Sequence, residues 1–118
     1  KGAVVNTASS SSIRGRSGLA AYVASKHAVL GLTRVAALDM AGTAVRVNAV
    51  LAGPINTRMI HALDAQARDV PGAIRRATSE VAYGKPRDVA NVVAFLLSEQ
   101  AAHVNGAAWV VDAGVTVA

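Results

Sequence analysis

Tyr22 and Lys26 stand four residues apart in AAYVASKHAV, and Ser9 stands thirteen residues before the tyrosine. On a helix, positions i and i+4 share a face, so the phenol and the ammonium can approach each other. A tyrosine exchanges protons poorly at neutral pH, and a neighbouring cation favours its phenolate. The pair is therefore a candidate general acid/base, with Ser9 placed to hold the substrate oxygen that it protonates. The same spacing also describes an ordinary helix-surface contact. The elements around the three residues have to decide between the two.

Ala3-Val4-Val5-Asn6 reads as a short buried strand, followed by a polar loop over 7–17 that holds Ser9 to Ser12 and Gly15. A helical pattern runs from about Ala20 to Ala41, with Val23, Leu30, Val35 and Leu38 as its larger apolar groups. Gly42 stops it. A second strand over 45–50, rich in β-branched residues, ends at Gly53-Pro54. The stretch 57–79 mixes charge with scattered apolar positions, and short helices over 61–68 and 72–78 flank Pro71-Gly72. From about Arg58 to Ala77 it fits a pocket-shaping lid and a solvated connector equally.

Lys85-Pro86-Arg87-Asp88 opens a further helix, with Pro86 in the first turn and Asp88 set against the dipole. Val89, Val92, Val93, Leu96 and Leu97 form its apolar stripe. A third strand over 107–111 ends at Asp112-Ala113-Gly114. Strand, helix, strand, helices, strand is the pattern of a parallel sheet with crossover helices. The fold class is α/β: about three strands with flanking helices, the C-terminal part of a Rossmann-like doubly wound sheet.

The 118 residues, 53% of them hydrophobic, suffice for one core. With only 3% aromatic residues, small aliphatic side chains must fill it. Lys1 leads almost directly into the first strand, which reads as a cut through a longer protein. There is no cysteine, so disulfides and thiolate metal sites are excluded, and a reducing cytoplasmic setting is compatible. No apolar run reaches membrane-spanning length. The net charge of +5 is dispersed in pairs such as Arg14 with Arg16 and Arg75 with Arg76, without interleaved aromatics. That pattern argues against a nucleic-acid partner.

Taken in order, these segments resemble the short-chain dehydrogenase/reductase family over essentially the whole chain. VVNTASS resembles the end of that family's fifth strand, and AAYVASKHAVLGLTRVAALDMA its Tyr-x-x-x-Lys helix. VRVNAVLAGPINT is similar to its sixth strand and cofactor loop. YGKPRDVANVVAFLLS and NGAAWVVDAG resemble its last long helix and seventh strand. The chain carries Gly53-Pro54 where the family usually has Pro-Gly, with Ile55 and Thr57 still in register.

The resemblance implies an NAD- or NADP-dependent oxidoreductase that interconverts a carbonyl and an alcohol, with Ser9, Tyr22 and Lys26 as catalytic residues. Tyr22 would exchange the proton, Ser9 would bond the same oxygen, and Lys26 would serve the tyrosine and the ribose hydroxyls of the cofactor. Gly53 and Ile55 would offer backbone groups near the nicotinamide, and Thr57 a hydroxyl. It further implies that residues 1–118 are the catalytic half of an NAD(P)-binding domain. The glycine-rich phosphate loop and the residues that select the dinucleotide would belong to a preceding half. The full-length protein would be a homo-oligomer, a dimer or tetramer.

Ser10 to Ser12 read as loop solvation, and Asn6 and Asn48 as structural hydrogen-bonding residues. His27, His61 and His103 lack metal-ligand spacing, so no metal is expected. Trp109 reads as core or interface. The substrate class stays open among sugars, steroids, oxoacyl thioesters and small alcohols. The competing reading is a truncated, non-catalytic chain that serves only as an oligomerisation module.

Overall fold

The three apolar runs form parallel strands: β1 over Gly2–Ser9, β2 over Val45–Ala52 and β3 over Ala108–Val111, in the order β1-β2-β3. The computed structural model describes residues 1–68 and 83–117. Helices α1 (Ala20–Asp39), α2 (Arg58–Arg68) and α3 (Pro86–Leu97) follow in the connections. The expected helix over 72–78 lies outside the described residues, whereas α2 begins three residues ahead of the expected start at 61.

β2 is the central strand, and its near-continuous apolar sequence follows from burial on both faces. Ala49, Val50 and Leu51 are fully buried. Ala8, Leu30, Ala49 and Leu51 form the core cluster, with Val29 and Ala108 packed against it. Leu30, Thr33 and Ala37 are the buried residues of α1, and Val23 and Lys26 continue that stripe at half-buried positions. Val35 and Leu38, two of the larger apolar groups of the helical pattern, are 55% and 75% exposed. Helical rotation places them outside the stripe set by residues 23, 26, 30, 33 and 37.

The first strand is longer than expected and reaches Ser9, so the polar segment after Asn6 is not a loop throughout. Ser10–Ser12 form a single 3₁₀ turn, and all three serines are at most 2% exposed rather than solvated. Hydroxyl groups make this burial possible by satisfying backbone donors. Ser9 Oγ accepts from Ser11 N at 3.0 Å, and Ser9 N donates to Ser12 Oγ at 3.2 Å.

At the opposite end of the sheet, two asparagines and an arginine pin the strands. Asn48 is fully buried, donates to Val104 O at 2.8 Å and accepts from Ala107 N at 3.0 Å. Asn105 Oδ1 accepts from Val47 N at 2.8 Å, while its Nδ2 donates to Ala37 O at 3.2 Å. Arg46 donates to Leu96 O and Ser98 O, both at 2.9 Å, and to Val104 O at 3.3 Å. These bonds satisfy carbonyls at the end of α3 that the helix leaves unpaired. Asn6 is tied likewise, donating to Thr33 Oγ1 at 3.0 Å, which itself donates to Val29 O at 2.8 Å.

Candidate active site

All three strands run the same way, so their C-terminal ends share one edge of the sheet. Ser9 pairs in register with Ala52, and Ala52 with Val111. The end of β1, the start of the loop after β2 and the end of β3 are therefore neighbours, at the edge where open parallel sheets bind ligands.

Ser9 closes β1 and is 6% exposed. A lone pair on its Oγ is occupied by the Ser11 N–H, which leaves the hydroxyl proton to be donated elsewhere. Tyr22 lies in the first turn of α1 and is 36% exposed. Lys26 lies one turn on, its Nζ 5.8 Å from the centre of the Tyr22 ring, within cation–π reach. The same Nζ donates to Thr7 O at 3.1 Å. This bond ties the Tyr-Lys face of α1 to β1 two residues before Ser9. Helix periodicity and this bond thus set Tyr22 and Lys26 on one face of α1, beside the strand that ends at Ser9. His27 turns away: its Nδ1 pairs with Val23 O at 2.9 Å.

The loop after β2 is held on both sides. Gly53 N donates to Val111 O at 2.9 Å. A Cβ on Gly53 would stand 2.5 Å from Asp112 Cβ, so only glycine allows this approach. Ile55 forms a parallel bridge with Gly84: Asn56 N donates to Gly84 O at 2.8 Å, and Gly84 N to Pro54 O at 3.1 Å. Because Pro54 O and Asn56 N both face Gly84, backbone alternation turns the N–H and C=O of Ile55 to the other side. Thr57 precedes α2, and its Oγ1 accepts from Ile60 N at 3.4 Å. Gly53 thus contributes close packing rather than a free N–H, while the N–H and C=O of Ile55 take no part in the bridge to Gly84.

A cleft of about 170 Å³ lies behind this loop, lined by Pro54, Ile55, Gly84, Asp88, Val111, Asp112 and Ala113. Its two carboxylates are already engaged. Asp88 accepts from Lys85 N at 2.7 Å, and Asp112 accepts from Gly114 N at 2.9 Å and Thr116 N at 2.8 Å. Among the described residues, no three His, Cys, Asp or Glu side chains converge as a metal site. No described helix is long and apolar enough to cross a membrane.

Sequence reasoning did not single out Gly84, Asn56, His61 or Tyr83 as site residues. The signal for Gly84 was faint: a glycine just ahead of the Lys85-Pro86 helix start. Its partner, Ile55, is 29 positions away and no local pattern links them.

Parallel strands ending together beside a Tyr-Lys helix define a class of α/β proteins with their chemistry at the C-terminal edge of the sheet. A family model described as enoyl-(acyl carrier protein) reductase matches residues 1–116. A cyclohexanol dehydrogenase from Acinetobacter sp. is 42% identical over 115 residues, covering 98% of this chain and 43% of that protein. An A-factor type gamma-butyrolactone 1'-reductase from Streptomyces virginiae is 38% identical over 116 residues, covering 98% and 45%. Among solved structures, an actinorhodin polyketide ketoreductase with NADPH matches at TM-score 0.90 and 34% identity, over 98% of this chain and 48% of that one. The chain belongs to the short-chain dehydrogenase/reductase family. It spans a little under half the length of the curated relatives it matches.

Proposed function

We propose that the full-length protein is an NAD- or NADP-dependent oxidoreductase that interconverts a carbonyl and an alcohol on a small molecule. The observation that carries this reading is the Tyr22-Lys26 face of α1, fastened by Lys26 to Thr7 O beside Ser9. Relatives crystallised with NADPH and NADH support the cofactor class.

The donor set on the sheet edge fits a nicotinamide dinucleotide. Lys26 has three donors and directs one at Thr7 O, which leaves others for vicinal ribose hydroxyls. The N–H and C=O of Ile55, which the bridge to Gly84 does not use, match the two halves of a carboxamide, and the Thr57 hydroxyl lies two residues on. Gly53 lets the loop close onto β3. When bound, the nicotinamide supplies or accepts hydride at the carbonyl or alcohol carbon.

The remaining steps belong to this chain. In the reductive direction Tyr22 gives its phenolic proton to the substrate oxygen as charge develops there, and in the oxidative direction takes it back. Ser9 donates its hydroxyl proton to the same oxygen, and its low exposure strengthens that bond by excluding water. Lys26 sets its ammonium over the Tyr22 ring and holds the helix against β1. Tyr22→Phe in the full-length protein should remove most turnover while leaving dinucleotide affinity within about twofold. Near-normal turnover would rule out the proton role.

Residues 1–118 are, on this proposal, the catalytic half of an NAD(P)-binding domain, and the full-length protein assembles as a homo-oligomer. One observation favours a purely associative role for the isolated chain: Leu32, Val35 and Leu38 lie on α1 at 67%, 55% and 75% exposure. Titrating the isolated chain with NADH and NADPH separates the readings. Weak or absent binding fits a half-domain; tight, saturable binding overturns it.

A further inference from the structure

Beyond its bridge to Gly84, the loop of Ile55 and Thr57 is held by side chains that the proposed chemistry leaves unused. Asn56 Oδ1 meets His61 Nε2 at 2.7 Å. A carboxamide oxygen only accepts, so Nε2 carries the hydrogen and His61 is the donor. The His61 ring also meets Tyr83 edge-on, with centroids 6.0 Å apart and planes at 74°. Tyr83 adjoins Gly84, whose backbone bonds Pro54 O and Asn56 N. Asn56, His61 and Tyr83 therefore join the chain where it leaves the loop at Thr57 to the chain where it returns at Gly84.

The start of α2 needs such a support. Its cap bond from Ile60 N to Thr57 Oγ1 is long, at 3.4 Å, and its backbone bond from His61 N to Thr57 O is 3.3 Å. Its first turn holds no acidic residue to oppose the dipole. The bond from His61 to Asn56, at 2.7 Å, is shorter than both of these. Asn56 lies between Ile55 and Thr57, so whatever fixes it fixes the spacing of the Ile55 peptide groups and the Thr57 hydroxyl.

We propose that His61 is a positioning residue, clamping the first turn of α2 to the loop so that Ile55 and Thr57 are presented together to the nicotinamide end of the cofactor. This inference rests on the oxidoreductase reading above. The clamp acts before any ligand arrives, because all its partners are protein groups. Its function is preorganisation: the dinucleotide does not have to order the loop on binding.

The test uses the full-length protein with His61→Ala, Asn56→Ala, the double variant and His61→Gln, which retains an N–H donor. Amide hydrogen exchange over residues 55–61 is followed without cofactor, and dissociation constants for NADH and NADPH are read from nicotinamide fluorescence. Each alanine variant should speed exchange and weaken dinucleotide binding about three- to tenfold. The double variant should be no worse than either single one, because the two groups form one interaction. His61→Gln should recover part of both effects. Unchanged exchange in both alanine variants, or strictly multiplicative losses in the double, would overturn the clamp. If the unaltered protein binds neither dinucleotide, the oxidoreductase reading fails, and the exchange data still decide whether the clamp exists.

Discussion

The two ends of the sheet use similar side chains to opposite purposes. At the end where β2 begins, Arg46, Asn48 and Asn105 direct their polar groups at backbone partners of the protein itself. At the end where it finishes, Lys26 places one donor on Thr7 O, Tyr22 stands 36% exposed and Ile55 turns its backbone groups away from Gly84. The first end is closed, and its hydrogen bonds are structural. Among the described residues, the second leaves Lys26 with donors beyond the one on Thr7 O and Ile55 with backbone groups outside its bridge, the arrangement expected where a ligand completes the set. Burial and polarity alone do not distinguish them, since Ser9 and Asn48 are both buried polar residues.

Substitutions can break this contrast in either direction. The largest expected effect is on turnover at the open end. Lys26→Met in the full-length protein should lower kcat/KM by about 10²-fold or more, while its denaturation midpoint shifts by less than about 1 kcal/mol equivalent. A stability loss as large as the kinetic one would make Lys26 a structural residue like Arg46. The closed end should behave oppositely. Asn48→Ala leaves Val104 O and Ala107 N without their partner and should cost about 3 kcal/mol in urea unfolding.

Gly53→Ala tests the boundary between the two. Its Cβ would meet Asp112 Cβ and Cα, both parts of the β3 terminus rather than the far end of a flexible side chain. About 1–3 kcal/mol of stability should be lost together with dinucleotide affinity, measured by unfolding and by fluorescence titration. Loss of only one of these would show that the loop and the strand end are not coupled.

The smallest effect belongs to the exposed Lys1–Glu99 ion pair, at 2.8 Å. The hydrogen bond from the Lys1 ammonium, followed by its charge, holds the Glu99 carboxyl below its ordinary value. A lowered folded-state value means that the pair contributes above the unfolded carboxylate range, and that this is lost as pH falls through the folded value. Glu99→Gln should therefore move the unfolding midpoint barely at pH 7 and not at all in strong acid. A larger shift in acid than at neutrality would reverse that sign.

The elements around the candidate site were largely legible in the sequence. β-branched runs marked β1 and β2, and the Tyr22-Lys26 spacing foretold a shared face because a helix repeats regularly. What local patterns could not convey were contacts made through space. Ser10 to Ser12 look solvated in sequence, yet the turn is buried, with Ser9 and Ser12 hydroxyls bonding backbone N–H groups and Arg16 donating to the Ser10 hydroxyl. Val35 and Leu38 are large apolar groups in the helical pattern, yet the rotation of α1 leaves them outside its buried stripe. Gly53 looks like a turn glycine, and Gly84 is marked only by its place ahead of the Lys85-Pro86 helix start. What requires glycine or tight packing there is Asp112 and Ile55, far along the chain.

The Asn48 bonds have one more consequence. Parallel strands joined by long crossovers have no tight hairpin to set their alignment, and a slip of one residue reverses which face each side chain occupies. Asn48 reads the position of β3 directly, through Val104 O on one side and Ala107 N on the other. Four residues further along β2, about 13 Å away at strand spacing, Ala52 stands between Ser9 and Val111. A single buried amide at the starting edge thus fixes how β3 lies against β2, as far as the Ala52–Val111 pair at the finishing edge.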